Sequence, residues 1–168
     1  MESNKNLEKI SVIYLDDEEH NLTAFKATFR YIFDVFVTTS AIEAMKLIQD
    51  NDIHIVISDQ RMPEVTGVEF LKSVVEKYPH TKRILLTGYS DQSDTVDAIN
   101  IGKISKFISK PWEENNLSTV IQDLYKQYLE EKEIAEKAEK LEKVSKERDL
   151  FKLESNQIEF ILRQKLLE

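Results

Sequence analysis

The chain is predicted to fold as a doubly wound α/β domain, a five-stranded parallel sheet with a helical layer on each face. Three observations predict it. Short apolar runs of strand length alternate with segments of helical periodicity. All three glycines (Gly67, Gly88, Gly102) and all three prolines (Pro63, Pro79, Pro111) lie before Trp112, so turn chemistry is confined to that part of the chain. Finally, four of the apolar runs end in acidic, hydroxyl or amine side chains, which a parallel sheet would gather at its carboxyl edge.

The elements follow in order. Ile10–Leu15 is the first strand and ends in Asp16-Asp17. Leu22, Phe25, Phe29 and Ile32 then recur at helical spacing. Val35–Val37 reads as a short strand, and Ser40 with Glu43 offers a capping box for a helix over Ala41–Gln49. The run Ile53–Ile57, apolar but for His54, is expected of a strand buried on both faces, and leads to Ser58-Asp59. Thr66 with Glu69 is a second capping box, opening a helix through Val68, Leu71, Val75 and Tyr78 that Pro79 closes. Ile84–Leu86 is another buried strand and ends in Thr87-Gly88. Asp91–Ile101 reads as a shorter helix stopped by Gly102 as a left-handed cap. Ile104–Ile108 is the fifth strand, before Ser109-Lys110-Pro111.

From about Asn116 the composition shifts to Glu, Lys, Leu and Ala with no breaker. Leu117, Ile121, Leu124 and Tyr128 form one apolar stripe, continued weakly by Ala135 and Ala138. Leu141, Val144, Phe151, Ile158 and Leu162 keep steps of three and four if Arg148 and Ser155 fill the seam between them. The join over Ala135–Val144 runs in threes, a stammer that overwinds a coiled coil. A helix of this length, on the order of 75 Å, cannot pack along its whole extent on so small a domain. The expected organisation is therefore a domain over residues 1–125 and a continuous helix over 126–168 that pairs as a parallel homodimeric coiled coil. The plainer alternative is a solvated single helix held by Glu–Lys pairs, against which the many apolar residues from Phe151 to Leu162 count.

Bulk properties narrow the function. At 168 residues and a net charge of −8, the chain lacks the clustered Lys and Arg that neutralise nucleic-acid phosphates. It has no cysteine, which excludes disulfides and thiolate metal sites. Its first residues lack the apolar core of a signal peptide and no apolar run reaches spanning length, so a soluble cytoplasmic protein is expected. His20, His54 and His80 show no ligand spacing and read as surface or strand-edge residues.

The chemistry resides at the strand ends. If the runs are neighbouring parallel strands, three carboxylates (Asp16, Asp17, Asp59), the Thr87 hydroxyl and the Lys110 ammonium meet. Like charges near 4 Å repel by about 4 kcal/mol at an effective dielectric of 20, and a divalent cation removes that penalty. Oxygen-only ligands suit Mg²⁺ (or Mn²⁺). Asp16 to Glu19 also read as an acidic first helical turn facing the macrodipole, a role that suits Glu18 and Glu19.

Four stretches carry a resemblance: Asp16-Asp17; Ser58-Asp59-Gln60-Arg61-Met62-Pro63 with Gly67; Leu86-Thr87-Gly88; and Ser109-Lys110-Pro111-Trp112. In this order, each at a strand end, they resemble the receiver domain of two-component response regulators, from about Ile10 to Leu124. The resemblance implies a flavodoxin-like sheet of order 2-1-3-4-5 and a phosphoprotein whose phosphoacceptor is Asp59, charged by a sensor histidine kinase or phosphotransfer protein of a phosphorelay. It implies that Asp17 and Asp59 ligate the cation with the backbone carbonyl of Arg61, and that Asp16 acts through water. Lys110, aimed by a cis bond to Pro111, and Thr87 would hold the phosphoryl oxygens while Gly88 keeps the entrance open. Phe107 matches the switch aromatic, with plain core as its simpler role. Arg61 and Tyr89 flank the line of attack on the acyl phosphate, so slow self-dephosphorylation is expected.

One charge-assisted hydrogen bond from Thr87 contributes roughly 1.5–3 kcal/mol, whereas reversing a 1:99 equilibrium takes about 5.5 kcal/mol. Lysine and metal contacts must add to it, or the two states must be nearly balanced. The output face implied is Asp91–Ile101, Lys103–Ile108 and Glu114–Tyr125, with the effect passed along the long helix to an output carried downstream or in a partner. The chain is thus expected to be a switch and not a metabolic enzyme. A haloacid-dehalogenase-type phosphohydrolase is the enzyme alternative, but it wants Asp-x-Asp where this chain has Asp16-Asp17-Glu18. A non-phosphorylated pseudo-receiver scaffold is the third reading, disfavoured by the complete set of acid, threonine and lysine.

Overall fold

Alternation along the strands dictates which helix covers which face of the sheet. In the computed structural model, which describes residues 9–88 and 103–165, the elements are β1 (Ser11–Leu15), α1 (Glu19–Phe29), β2 (Asp34–Thr38), α2 (Ala41–Asp50), β3 (Ile55–Asp59), α3 (Gly67–Lys77), β4 (Lys82–Thr87), β5 (Lys106–Ser109) and α4 (Glu114–Lys165). The sheet is parallel throughout, with the order β2-β1-β3-β4-β5. Val12, Tyr14, Ile55, Ile57, Ile84 and Leu86 point to one face, where α1 supplies Leu22, Phe25 and Phe29 and α4 supplies Leu117, Ile121 and Leu124. Ile13, Leu15, Val56 and Leu85 point to the other, beneath Ala44 and Ile48 of α2 and Phe70, Leu71 and Val74 of α3. β3 and β4 are buried from end to end, as strands with apolar centres between two helical layers should be, and the polar residues at their ends, Lys82 and Arg83 included, are buried with them.

Four details differ from the sequence reading. Helix α1 stops at Phe29 and Ile32 lies beyond it, 42% exposed, while its neighbour Phe33 fills the core. The Ser40–Glu43 box is only half formed: Ser40 Oγ accepts from Glu43 N at 3.3 Å. The Glu43 carboxylate instead accepts from the Thr38 hydroxyl at 2.5 Å, and that hydroxyl accepts from Ser40 N at 3.1 Å. His54 is buried, not superficial: its Nδ1 accepts from Ser11 N at 3.0 Å, and its ring lies 4.8 Å and 5.0 Å from those of Tyr125 and Tyr128. Strand β5 begins at Lys106, so Ile104 stands before it. The expected helix over Asp91–Ile101, its Gly102 cap and Tyr89 lie outside the described residues.

The chain divides into two compact units, Met1–Leu129 and Glu130–Glu168. Tyr128 of α4 is still buried, which places the first boundary just past it. In the second unit, Glu–Lys pairs one helical turn apart join Glu133 to Lys137 (2.5 Å), Glu139 to Lys143 (2.8 Å) and Glu142 to Lys146 (2.6 Å). Leu141 (71%), Phe151 (70%) and Ile158 (59%) are nonetheless exposed.

The capping box at Thr66 is complete, with Glu69 N on Thr66 Oγ1 at 3.3 Å and the Glu69 carboxylate back on Thr66 N at 2.9 Å. It starts α3 directly against the end of β3. A Cβ at Gly67 would overlap the Asp59 carbonyl oxygen and lie 2.6 Å from Leu85 Cδ1. Gly67→Ala is therefore expected to destabilise the protein by about 1–3 kcal/mol through overpacking, more than Thr66→Ala, which removes one cap of about 1 kcal/mol. Urea unfolding of the two variants checks the ranking.

Candidate functional site

Between β1 and β3 the winding of the sheet reverses, which opens a crevice at the carboxyl ends of those strands. Asp16 follows β1 there and Asp59 ends β3. Thr87 ends β4, and Lys110 follows β5. The parallel ladders continue one step past the strands: Gln60 N donates to Leu86 O at 3.0 Å and Lys110 N to Thr87 O at 2.8 Å. That extension carries the Asp59, Thr87 and Lys110 side chains to one edge. The Lys110–Pro111 peptide bond is cis.

The Lys110 ammonium links the two buried carboxylates, at 2.9 Å from Asp16 Oδ2 and 2.5 Å from Asp59 Oδ1. Asp59 Oδ2 also accepts from Arg61 N at 2.7 Å. Burial pushes the Asp59 carboxyl above its ordinary pKa, because the Lys110 hydrogen bond and charge do not offset it fully and Asp16 adds repulsion. Asp16 shows the opposite balance. Burial works against its charge, yet donors from Tyr14, Lys110, Glu18 N and Asn21 hold it below the usual carboxylate range. Lys110 is raised despite its burial, by hydrogen bonds to Asp59 and then Asp16.

Two of these donors were missed in the sequence. The Tyr14 hydroxyl donates to Asp16 Oδ2, and Asn21 Nδ2 reaches both Asp16 oxygens at 3.2 and 3.1 Å. Burial and the Asp16 carboxylate push the Tyr14 phenol far above its ordinary value. The available signal was spacing: residues two apart on a strand share a face, so Tyr14 and Asp16 had to point the same way.

Asp17 takes no part in these hydrogen bonds and ion pairs. It is exposed and lines a cavity of about 320 Å³ with Thr39, Ser40, Met62 and Pro63. Among the described residues, no three acidic or imidazole side chains converge as a ready metal cage; Lys110 supplies the counter-charge between Asp16 and Asp59. The donor chemistry at this edge, carboxylate and carbonyl oxygen without sulfur or imidazole, nevertheless fits a hard divalent cation. Thr87 is buried at the edge, Phe107 is half-buried against the cluster of Ile13, Leu15 and Leu85, and the Arg61 side chain is exposed.

Fold, strand order and the gathering of acidic, hydroxyl and ammonium groups at one edge define a signal-receiving class of α/β domain. Residues 12–122 match the response regulator receiver domain family. The chain is 37% identical over 112 residues to the hydrogenase transcriptional regulatory protein HoxA of Cupriavidus necator, covering 67% of this chain and 23% of that protein. It is 32% identical over 123 residues to HoxA of Bradyrhizobium diazoefficiens, covering 73% of this chain and 25% of that one. The chain thus spans about a quarter of the length of these relatives. Among solved structures, an uncharacterized protein from Neptuniibacter caesariensis is 33% identical with a TM-score of 0.71, the match covering 76% of this chain and 96% of that one. The signal receiver domain of an HD domain-containing protein from Pseudomonas fluorescens is 25% identical with a TM-score of 0.72, covering 79% and 98%. The chain belongs to the response regulator receiver family, in which phosphorylation on an aspartate is general.

The raised Asp59 carboxyl has a consequence for stability. Its charged form is disfavoured in the fold, so stability falls as pH rises from the unfolded carboxylate value of about 3.9 through the raised native one, and stays lowered above it. Asp59→Asn in metal-free protein is therefore expected to melt at a higher temperature near neutral pH, with the gain fading towards pH 4. Thermal melts across that range check it; equal melting temperatures at neutral pH contradict it.

Proposed function

We propose that this chain is a phosphoacceptor switch of two-component signalling, charged on Asp59 by a sensor histidine kinase or phosphotransfer protein. The observation that carries the reading is the pairing of buried Asp59 with Lys110 at 2.5 Å at the carboxyl edge of the sheet. A carboxylate oxygen of Asp59 forms the bond to phosphorus as the donor's P–N bond breaks, and the departing imidazole takes its proton from water. Asp17 and Asp59 with the Arg61 carbonyl would hold Mg²⁺ (or Mn²⁺), Asp16 acting through water, and such an ion would supply positive charge against the phosphoryl oxygens. Lys110 follows the new negative charge from the carboxylates to a phosphoryl oxygen. The Thr87 hydroxyl donates to another, and Phe107 turns inward into the space this leaves. Arg61, and by the family resemblance Tyr89, slow hydrolysis by hindering water.

The output leaves through β5, the segment 91–101 and the start of α4. A parallel homodimer through the distal part of α4 covers Leu141, Val144, Phe151 and Ile158, and phosphorylation changes the geometry of that coiled coil. The Glu–Lys pairs of that segment each contribute about 0.3–0.5 kcal/mol, too little to favour a lone helix with such side chains in water. No helix among the described residues is long and apolar enough to cross a membrane, and the cytoplasm, where a kinase's phosphohistidine is presented, is the proposed location. Turnover of other substrates has no support in the site. Glu18, where a haloacid-dehalogenase-type hydrolase needs its second aspartate, pairs instead with His20 at 2.9 Å.

Acetyl phosphate with Mg²⁺ is expected to add one phosphoryl group to native protein and none to Asp59→Asn, read by intact-mass and peptide mass spectrometry. A label on another residue ends the proposal. The phosphorylated form of an Arg61→Asn, Tyr89→Ala variant should decay several-fold faster than the native one. Sedimentation equilibrium is expected to report a dimer for the whole chain and a shift to monomer for Phe151→Glu, Ile158→Glu; an unchanged mass for that variant places the contact elsewhere.

A further inference from the structure

Asp16 is fully committed before any ligand arrives. A carboxylate offers about four acceptor sites, and here four groups use them. Glu18 N donates to Oδ1 at 2.9 Å and Lys110 Nζ to Oδ2 at 2.9 Å. The Tyr14 hydroxyl donates to Oδ2 and the Asn21 amide is shared between both oxygens. The carboxylate is 1% exposed, so these four protein donors supply most of its shell. Two of the four donors, Tyr14 and Asn21, are neutral side chains with no part in the chemistry assigned above.

We infer that Tyr14, assisted by Asn21, is a positioning residue of the acid pocket: its hydroxyl holds the Asp16 carboxylate so that the Lys110 ammonium can leave it for the phosphoryl group. This rests on the reading of Asp59 as phosphoacceptor. When Lys110 moves, Asp16 loses its one charged protein donor in a buried setting. A buried carboxylate left short of donors is unfavourable, and beside any water held by the cation, Tyr14, Asn21 and the Glu18 amide are the protein donors that remain. The same phenol draws charge density from Asp16 and so weakens its pull on Lys110 and on the water shell of a cation.

Removal of the hydroxyl therefore has two opposed effects. Asp16 attracts positive charge more strongly, which favours a divalent cation at the pocket, and it grips Lys110 more tightly, which delays transfer of the ammonium to the incoming phosphoryl group. A tyrosine serving only as core would give neither. Its ring lies 4.8 Å from that of Phe25, which in turn lies 5.9 Å from Trp112, and phenylalanine keeps all of that packing.

The test uses the whole chain as native protein, Tyr14→Phe and Asn21→Ala, the second at a half-buried helical position. Mg²⁺ alone is titrated calorimetrically into protein stripped with chelator, and phosphorylation by acetyl phosphate is timed by mass spectrometry. Tyr14→Phe is expected to bind Mg²⁺ several-fold more tightly yet to accept phosphate about tenfold more slowly, the effect of one charge-assisted hydrogen bond. Asn21→Ala should move both quantities the same way by less. Affinity and rate falling together, or neither changing, overturns the inference. If native protein takes no label, the phosphoacceptor reading fails, and the Mg²⁺ titration alone decides the role of Tyr14. Native protein that binds no Mg²⁺ overturns the inference outright.

Discussion

The ammonium of Lys110, at 2.9 Å from Asp16 and 2.5 Å from Asp59, reconciles two carboxylates that the topology forces together. Parallel strands β1 and β3 are neighbours, so acids at their carboxyl ends cannot avoid each other. Without a cation between them the repulsion would oppose the pairing of the strands themselves. The lysine reaches that position from β5, two strands away from β3, because the ladder from Thr87 O to Lys110 N holds its backbone at the same edge. One charge thus ties the winding of the sheet to the chemistry of its rim. The two acids respond unequally: Asp16, rich in donors, is held ionised, while Asp59, with fewer, is left basic.

Most of the architecture was legible because both faces of the sheet are covered. β3 and β4 read as short apolar runs at their centres, and the stripe Leu117, Ile121, Leu124, Tyr128 is buried as its periodicity requires. Legibility failed where two adjacent residues had equal claims. Ile32 and Phe33 are both apolar, and only the end of α1 at Phe29, followed by a turn, decides that Phe33 enters the core. Ser40 and Glu43 have the spacing of a capping box, yet Thr38 intervenes because β2 ends with that hydroxyl beside the helix start.

At the site, the charged groups were legible from their places after strands, while the neutral groups that orient them were not. Tyr14 within a strand looks like any core aromatic until its hydroxyl is seen on Asp16. Asp16 and Asp17 were indistinguishable as letters; the pleat buries the first and leaves the second in water. Arg83 and Lys82 were invisible for another reason. Their strand looked apolar, yet both are buried at its start, and the Arg83 guanidinium caps the carbonyl of Lys103 at 2.9 and 2.8 Å. Lys103 adopts a positive φ of 43°, a strained state for a side-chain-bearing residue, and the two hydrogen bonds help to hold it.

Helix α4 serves two masters within a single run of backbone. Its first turns contribute Leu117, Ile121, Leu124 and Tyr128 to the interior, and Tyr128 with Tyr125 covers the imidazole of His54 at the entrance to β3. A recombination event that exchanged the tail could splice cleanly only downstream of Leu129. A joint any earlier would strip one wall from the sheet. Any exchanged tail would therefore have to begin after the residues that close this face of the sheet.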